Sequence, residues 1–113
     1  MDYCGNMQQR GNEIVASGDY ALKVADALNE TTLKILQILR KECLDVSTVA
    51  KRVALSEAYI SGQLRMLEDL NLITVSYARG TRGVRKLCES SIDKVTILLK
   101  ENVNENSGSD VVP

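Results

Sequence analysis

Histidine, phenylalanine and tryptophan are absent from this chain, and its single proline is the last of 113 residues. Without His, triad hydrolases and His-bound zinc or iron centres are excluded as they are usually built. Without Phe or Trp, and with only four Tyr, the core must come from Leu, Ile, Val and Ala. That supply suits helices better than a large β-sandwich. No apolar run approaches the roughly 18 residues of a membrane span, and the opening MDYCGNMQQRGNE lacks the charged-then-apolar layout of a signal peptide. The expectation is a soluble, cytoplasmic protein with no membrane partner. Cys4, Cys43 and Cys88 are odd in number and widely spaced. They fit neither a disulfide framework nor a metal knuckle, and read as thiols in a reducing compartment.

What is present is enough chain for one core and too little for two ordinary domains, with 44% apolar residues. The net charge of −1 hides an uneven distribution. Residues 1–45 carry five basic and seven acidic groups, 46–88 seven and three, and 89–113 two and five. The middle is therefore +4 between flanks of −2 and −3. Screening limits a field to about 10 Å at physiological salt, so a local +4 face matters more to a polyanion than the total does. The polar, aperiodic ends predict a flexible N-terminus over 1–11 and a disordered tail over 102–113, leaving one domain over 12–101.

Three stretches share one grammar: Leu28-Asn29-Glu30-Thr31-Thr32-Leu33, Leu44-Asp45-Val46-Ser47-Thr48-Val49 and Leu55-Ser56-Glu57-Ala58-Tyr59-Ile60. In each, Asn29, Asp45 or Ser56 can accept a hydrogen bond from an orphan N–H of a first helical turn, and the flanking apolar pair forms a hydrophobic staple. The helices that follow are predicted over 30–41, 46–53 and 57–70, with apolar positions Leu33/Leu36, Val49/Val53 and Ile60/Leu64/Leu67 at three- and four-residue spacing. The second and third are joined so tightly that they make a helix-turn-helix. Upstream, Ile14, Ala21, Ala25 and Leu28 mark one face of a helix over 12–28. Downstream, Leu72 to Tyr77, the turn Arg79-Gly80-Thr81-Arg82-Gly83 and the return Val84 to Cys88 predict a β-hairpin with a basic tip. Ser90 or Ser91 would cap a last helix over 92–101, although Val95-Thr96-Ile97-Leu98-Leu99 equally suits a strand. The fold class is mainly α with a small β-hairpin, a winged helix-turn-helix.

That order of elements resembles the ArsR-like transcriptional regulators. The resemblance covers about 24–100 and is closest in Ala27 to Leu36, in Leu55-Ser56-Glu57-Ala58-Tyr59-Ile60-Ser61-Gly62-Gln63-Leu64-Arg65-Met66-Leu67 and in the Gly80–Lys86 turn. It implies a DNA-binding regulator, repressor or activator, paired as a homodimer through the helices at 12–28 and 92–101. The alternative for those helices is that they simply complete the monomer core. The family's metal sensors place a Cys-x-Cys pair where this chain has Asp45 and Ser47, and Cys43 lies two residues too early, so metal sensing by that site is not expected.

A major groove about 12 Å wide admits one α-helix, whose first polar residues reach base edges. Ala58, Tyr59, Ser61, Gly62 and Gln63 face outward if Ile60, Leu64 and Leu67 face the core. Gln63 suits adenine, Ser61 a base or phosphate, and Ala58 a thymine methyl. Gly62 costs about 1 kcal/mol relative to Ala inside a helix and fits close approach to the duplex. Lys51, Arg52 and Arg65 suit phosphates, and Arg79, Arg82, Arg85 and Lys86 suit a narrow minor groove or the flanking backbone. The bland alternatives are a solvated helix face and a charged hairpin that blocks edge aggregation. The expected partner is double-stranded DNA, with no cofactor and no enzymatic chemistry. The competing class is a winged-helix protein-interaction module within a transcription assembly.

Overall fold

The computed structural model describes residues 12–81 and 83–100. The expected tails and Arg82 lie outside the described residues.

Capping decides the helix boundaries. Helix α1 spans Gly18–Ala27, α2 Glu30–Lys41, α3 Val46–Val53 and α4 Glu57–Asp69. The Asn29 side chain accepts from the Thr32 N–H at 3.0 Å, and the Thr32 hydroxyl accepts from the Asn29 N–H at 2.9 Å, closing a reciprocal cap on α2. Asp45 accepts from the Thr48 N–H at 2.9 Å and Ser56 from the Tyr59 N–H at 3.2 Å, starting α3 and α4. All three predicted starts are borne out.

Strands β3, Thr74–Gly80, and β4, Gly83–Glu89, form the expected hairpin, in register from Thr74↔Glu89 to Gly80↔Gly83. The two-residue strand β2, Leu44–Asp45, pairs with Leu87 and Cys88 of β4, making a three-stranded antiparallel sheet in the order β2-β4-β3. The main core lies between this sheet and helices α2 to α4, where Ile35, Leu39, Val49, Ile60, Leu64 and Leu67 are fully buried.

Two expectations fail at the ends of the domain. Residues 92–97 form strand β5, Ile92–Ile97, and the predicted helix over 92–101 is absent. Residues 12–16 form strand β1, Asn12–Ala16, so the predicted helix over 12–28 reduces to α1. The two strands pair in parallel, Ile14 with Val95 and Ala16 with Ile97. The β-branched run Val95-Thr96-Ile97 supplies strand propensity, and a partner about 80 residues away in sequence supplies the missing hydrogen bonds. The predicted C-terminal dimerisation helix is thus replaced by half of a two-stranded sheet.

Smaller corrections follow from side-chain direction. Helix α2 buries Thr32, Ile35 and Leu39, while Leu33 is 51% exposed and Leu36 half-buried. A buried Thr is tolerated because its hydroxyl donates to the Ala27 carbonyl at 2.7 Å. Helix α1 buries Ala21, Val24 and Ala27, leaving Ala25 exposed. Cys43 is disulfide-bonded and is not the thiol expected, which its half-buried position beyond the end of α2 makes sterically accessible. Cys88 is a free thiol, wholly buried.

Candidate nucleic-acid interface

The turn between α3 and α4 is three residues, Ala54 to Ser56. Ala54 takes the left-handed conformation at φ 61°, and the Leu55 N–H reaches back to the Ala50 carbonyl at 3.1 Å, closing α3. Ser56 then opens α4 at once.

Helix α4 is sharply divided. Ile60, Leu64 and Leu67 are 0% exposed, whereas Ala58, Gly62 and Arg65 are exposed and Tyr59 is 47% exposed. Ser61 and Gln63 are half-buried on the flanks of this ridge. An added Cβ at Gly62 would meet nothing within 4 Å, so no internal packing demands a glycine there. Its bare backbone is offered to the outside.

Lys51 and Arg52 are exposed near the end of α3. Arg52 makes a two-pronged ion pair with Glu42, at 3.0 and 3.1 Å, and this hydrogen-bonded guanidinium holds the Glu42 carboxyl below its ordinary pKa. Arg85 donates to Asp45 at 2.9 Å. Asp45 therefore caps α3 with one oxygen and pairs with the hairpin through the other. Its carboxyl is held below the usual value by Thr48 first and Arg85 second, against partial burial.

The hairpin cations do not form a single patch. Directly opposed residues of an antiparallel pair share a face, and successive residues alternate. Lys86 opposes Tyr77 and Arg79 opposes Val84, which puts Arg79 and Lys86 on the face that carries Cys88 into the core. Arg85 opposes Ala78 and lies on the other face, with Asp45. Arg79 is exposed and Lys86 half-buried.

The structure thus brings Arg85 to the start of α3 and sets Ala58, Tyr59, Gly62 and Arg65 on one outward ridge. Glu42 and Asp45 were missed as partners of the cations, because their pairings span 10 and 40 residues and no local pattern reports them. Where a Cys-x-Cys pair would hold a soft ion, Asp45 is committed to Thr48 and Arg85, and Ser47 offers only a hydroxyl, so these residues do not fit such a metal. Burial pushes the Cys88 thiol up to about 11, which makes it an inert core residue.

Among known proteins, the family model described as "Bacterial regulatory protein, arsR family" matches residues 29–75, from the cap of α2 into β3. NolR from Sinorhizobium fredii is similar at TM-score 0.55 and 33% identity, covering 66% of this chain and 72% of that one. A fragment 1–100 from Mycobacterium bovis, described as a homodimeric winged helix-turn-helix DNA-binding domain, is similar at TM-score 0.55 and 24% identity. There the match covers 65% of each chain. No curated protein matches the chain. Among the described residues, no helix is long and apolar enough to cross a membrane.

Proposed function

Starting from the fact that this chain belongs to the ArsR family of bacterial regulatory proteins, we propose that it binds double-stranded DNA as a homodimer, with α4 in the major groove and the β3–β4 hairpin on the backbone or minor groove. One observation carries the reading: the outward ridge of α4 is polar, cationic at Arg65, and bare at Gly62 with no internal reason to be so. Ala58, Tyr59, Ser61 and Gln63 would meet base edges there, and Arg65 and Lys51 phosphates.

The ion pairs qualify the roles of Arg52 and Arg85. Both reach phosphate only by sharing or exchanging a carboxylate, so they contribute less to affinity than Arg65, Lys51 and Arg79, and Lys86 less for its partial burial. Arg82 completes the hairpin set proposed from sequence. Exposed Leu22 on α1 and Val15 on β1 support pairing of two copies through the terminal layer. A two-fold dimer would then read half-sites about 34–36 Å apart or a multiple of it.

Gly62→Ala separates recognition from folding. Filling the helix with a better former stabilises it by about 0.5–1 kcal/mol, while the new methyl obstructs the groove and weakens binding to a duplex selected from a random pool. Thermal melts and anisotropy titrations read the two effects. Arg65→Ala should weaken binding on all sequences and reduce the salt slope by about 1, whereas Gln63→Ala should cost about 1–3 kcal/mol and relax discrimination at one base pair. No duplex binding at low salt would reject this reading in favour of a protein-interaction module.

A further inference from the structure

A cleft lies away from the α4 ridge, between α2 and β5. It encloses about 560 Å³, within the usual range for small-molecule sites. Its walls are apolar, with Leu33 and Leu36 on one side and Ile92 and Val95 on the other. Arg40, Lys41 and Lys94 also line it, against one carboxylate, Asp93. Asp93 is paired with Arg40, while Lys41 and Lys94 have no ion-pair partner among the described residues.

An apolar trough lined by a surplus of cations selects ligands that are both greasy and negatively charged. We infer that this cleft binds a small amphipathic organic anion, an aromatic or alkyl ring system bearing one carboxylate, with the hydrocarbon against Leu33, Leu36, Ile92 and Val95 and the carboxylate toward Lys41 and Lys94. A second polypeptide copy would need a larger continuous apolar face and would gain little from stranding two lysines within it.

The floor of the cleft joins the elements that set the recognition helix. Ser90 lines the cleft; its N–H donates to the Leu39 carbonyl and its hydroxyl to the Leu72 carbonyl, both at 3.0 Å. Leu72, also in the lining, donates its N–H to Leu67 in the last turns of α4 at 2.9 Å. A ligand wedged between α2 and β5 therefore presses on a buried node shared by α2, α4 and the strand leading from the hairpin. Regulation of DNA affinity from this cleft rests on the DNA-binding reading; occupancy of the cleft does not.

Titration of the full chain with 2-naphthoate, followed by amide chemical shifts without DNA, tests occupancy. Saturable shifts at Leu33, Leu36, Ile92 and Val95 are expected, with 2-naphthalenemethanol binding at least tenfold more weakly. Lys94→Glu and Lys41→Glu, both at exposed positions, should each weaken naphthoate about fivefold, and Leu33→Glu should weaken it further. Equal affinity for the neutral analogue, shifts mapping elsewhere, or no saturation at millimolar naphthoate would overturn the site. So would a cleft that becomes accessible only when the protein is diluted to monomer, since a second copy would then occupy it. Saturating naphthoate should change affinity for the selected duplex at least threefold; an unchanged affinity overturns the regulatory role alone. Loss of DNA binding by the ligand-free chain would instead reject the proposed function and leave the cleft standing.

Discussion

The helix-turn-helix body and the terminal layer bury their apolar residues in different ways. The body packs large aliphatic side chains, Ile35, Leu39, Ile60, Leu64, Leu67 and Leu72, each at most 1% exposed. The terminal layer of β1, α1 and β5 has a second cluster whose buried members are Ala16, Ala21 and Val24. Small side chains let a strand lie close on a helix but remove little apolar area from water, and burial energy scales with that area. The two regions are joined by specific bonds, among them the Tyr20 hydroxyl donating to the Leu70 carbonyl at 2.6 Å. The comparison teaches that the scaffold for α4 is fixed from within, while the terminal layer is a thin addition that keeps Leu22 and Val15 exposed.

The sharpest way to break that comparison is truncation on each side of it. Leu64→Ala should cost about 2–5 kcal/mol, enough to unfold a large fraction of a domain of this size. Val24→Ala, equally buried, removes two carbons where Leu64→Ala removes three, and should cost about 2 kcal/mol. Urea unfolding followed by helical signal measures both. Equal losses would mean that the terminal layer carries as much of the fold as the body does.

A smaller effect sharpens the role of Asp45, which serves the body twice, as cap and as partner of the hairpin. Asp45→Ala should cost about 1 kcal/mol for the cap. Its carboxyl is held below its ordinary value in the folded state, by the Thr48 hydrogen bonds first and Arg85 next, so the folded chain binds fewer protons than the unfolded chain in acid. The stabilisation is complete above the unfolded value and is lost as pH falls through the folded one. The gap between the parent chain and Asp45→Ala should therefore be constant near neutrality and close in acid. A gap that widens on acidification would reverse the assignment.

The same division explains what was legible in the sequence. Asn29, Asp45 and Ser56 announce helix starts because a cap is a local event within four residues, and Ile60, Leu64 and Leu67 announce the core face because helical periodicity is local too. The hairpin was legible from the glycines at its tip and the β-branched residues leading into it. The β1–β5 pairing was not, since Asn12 and Ile92 are far apart in sequence and no local pattern reports their pairing. Within the site, the exposed ridge of α4 followed from periodicity, but the carboxylates that occupy Arg52 and Arg85 follow from tertiary approach. Charge counting alone therefore placed four hairpin cations in one group, where strand alternation puts Arg79 and Lys86 on one face and Arg85 on the other.

The smallest expected effect tests the body at its tightest point. Both ends of the paired helices close through a left-handed residue, Ala54 after α3 at φ 61° and Asn71 after α4 at φ 65°. Each is followed by an N–H that reaches five residues back, Leu55 to Ala50 and Leu72 to Leu67. Asn tolerates this conformation, whereas a Cβ as in Ala costs about 1–2 kcal/mol there. Glycine would relieve that strain and return part of it as extra freedom in the unfolded chain. Ala54→Gly should thus raise stability by about 0.5 kcal/mol, and Asn71→Gly by less, read as small shifts in melting temperature. If Ala54→Gly instead destabilises, the three-residue turn is held by its methyl group rather than in spite of it, and the rigid presentation of α4 depends on that contact.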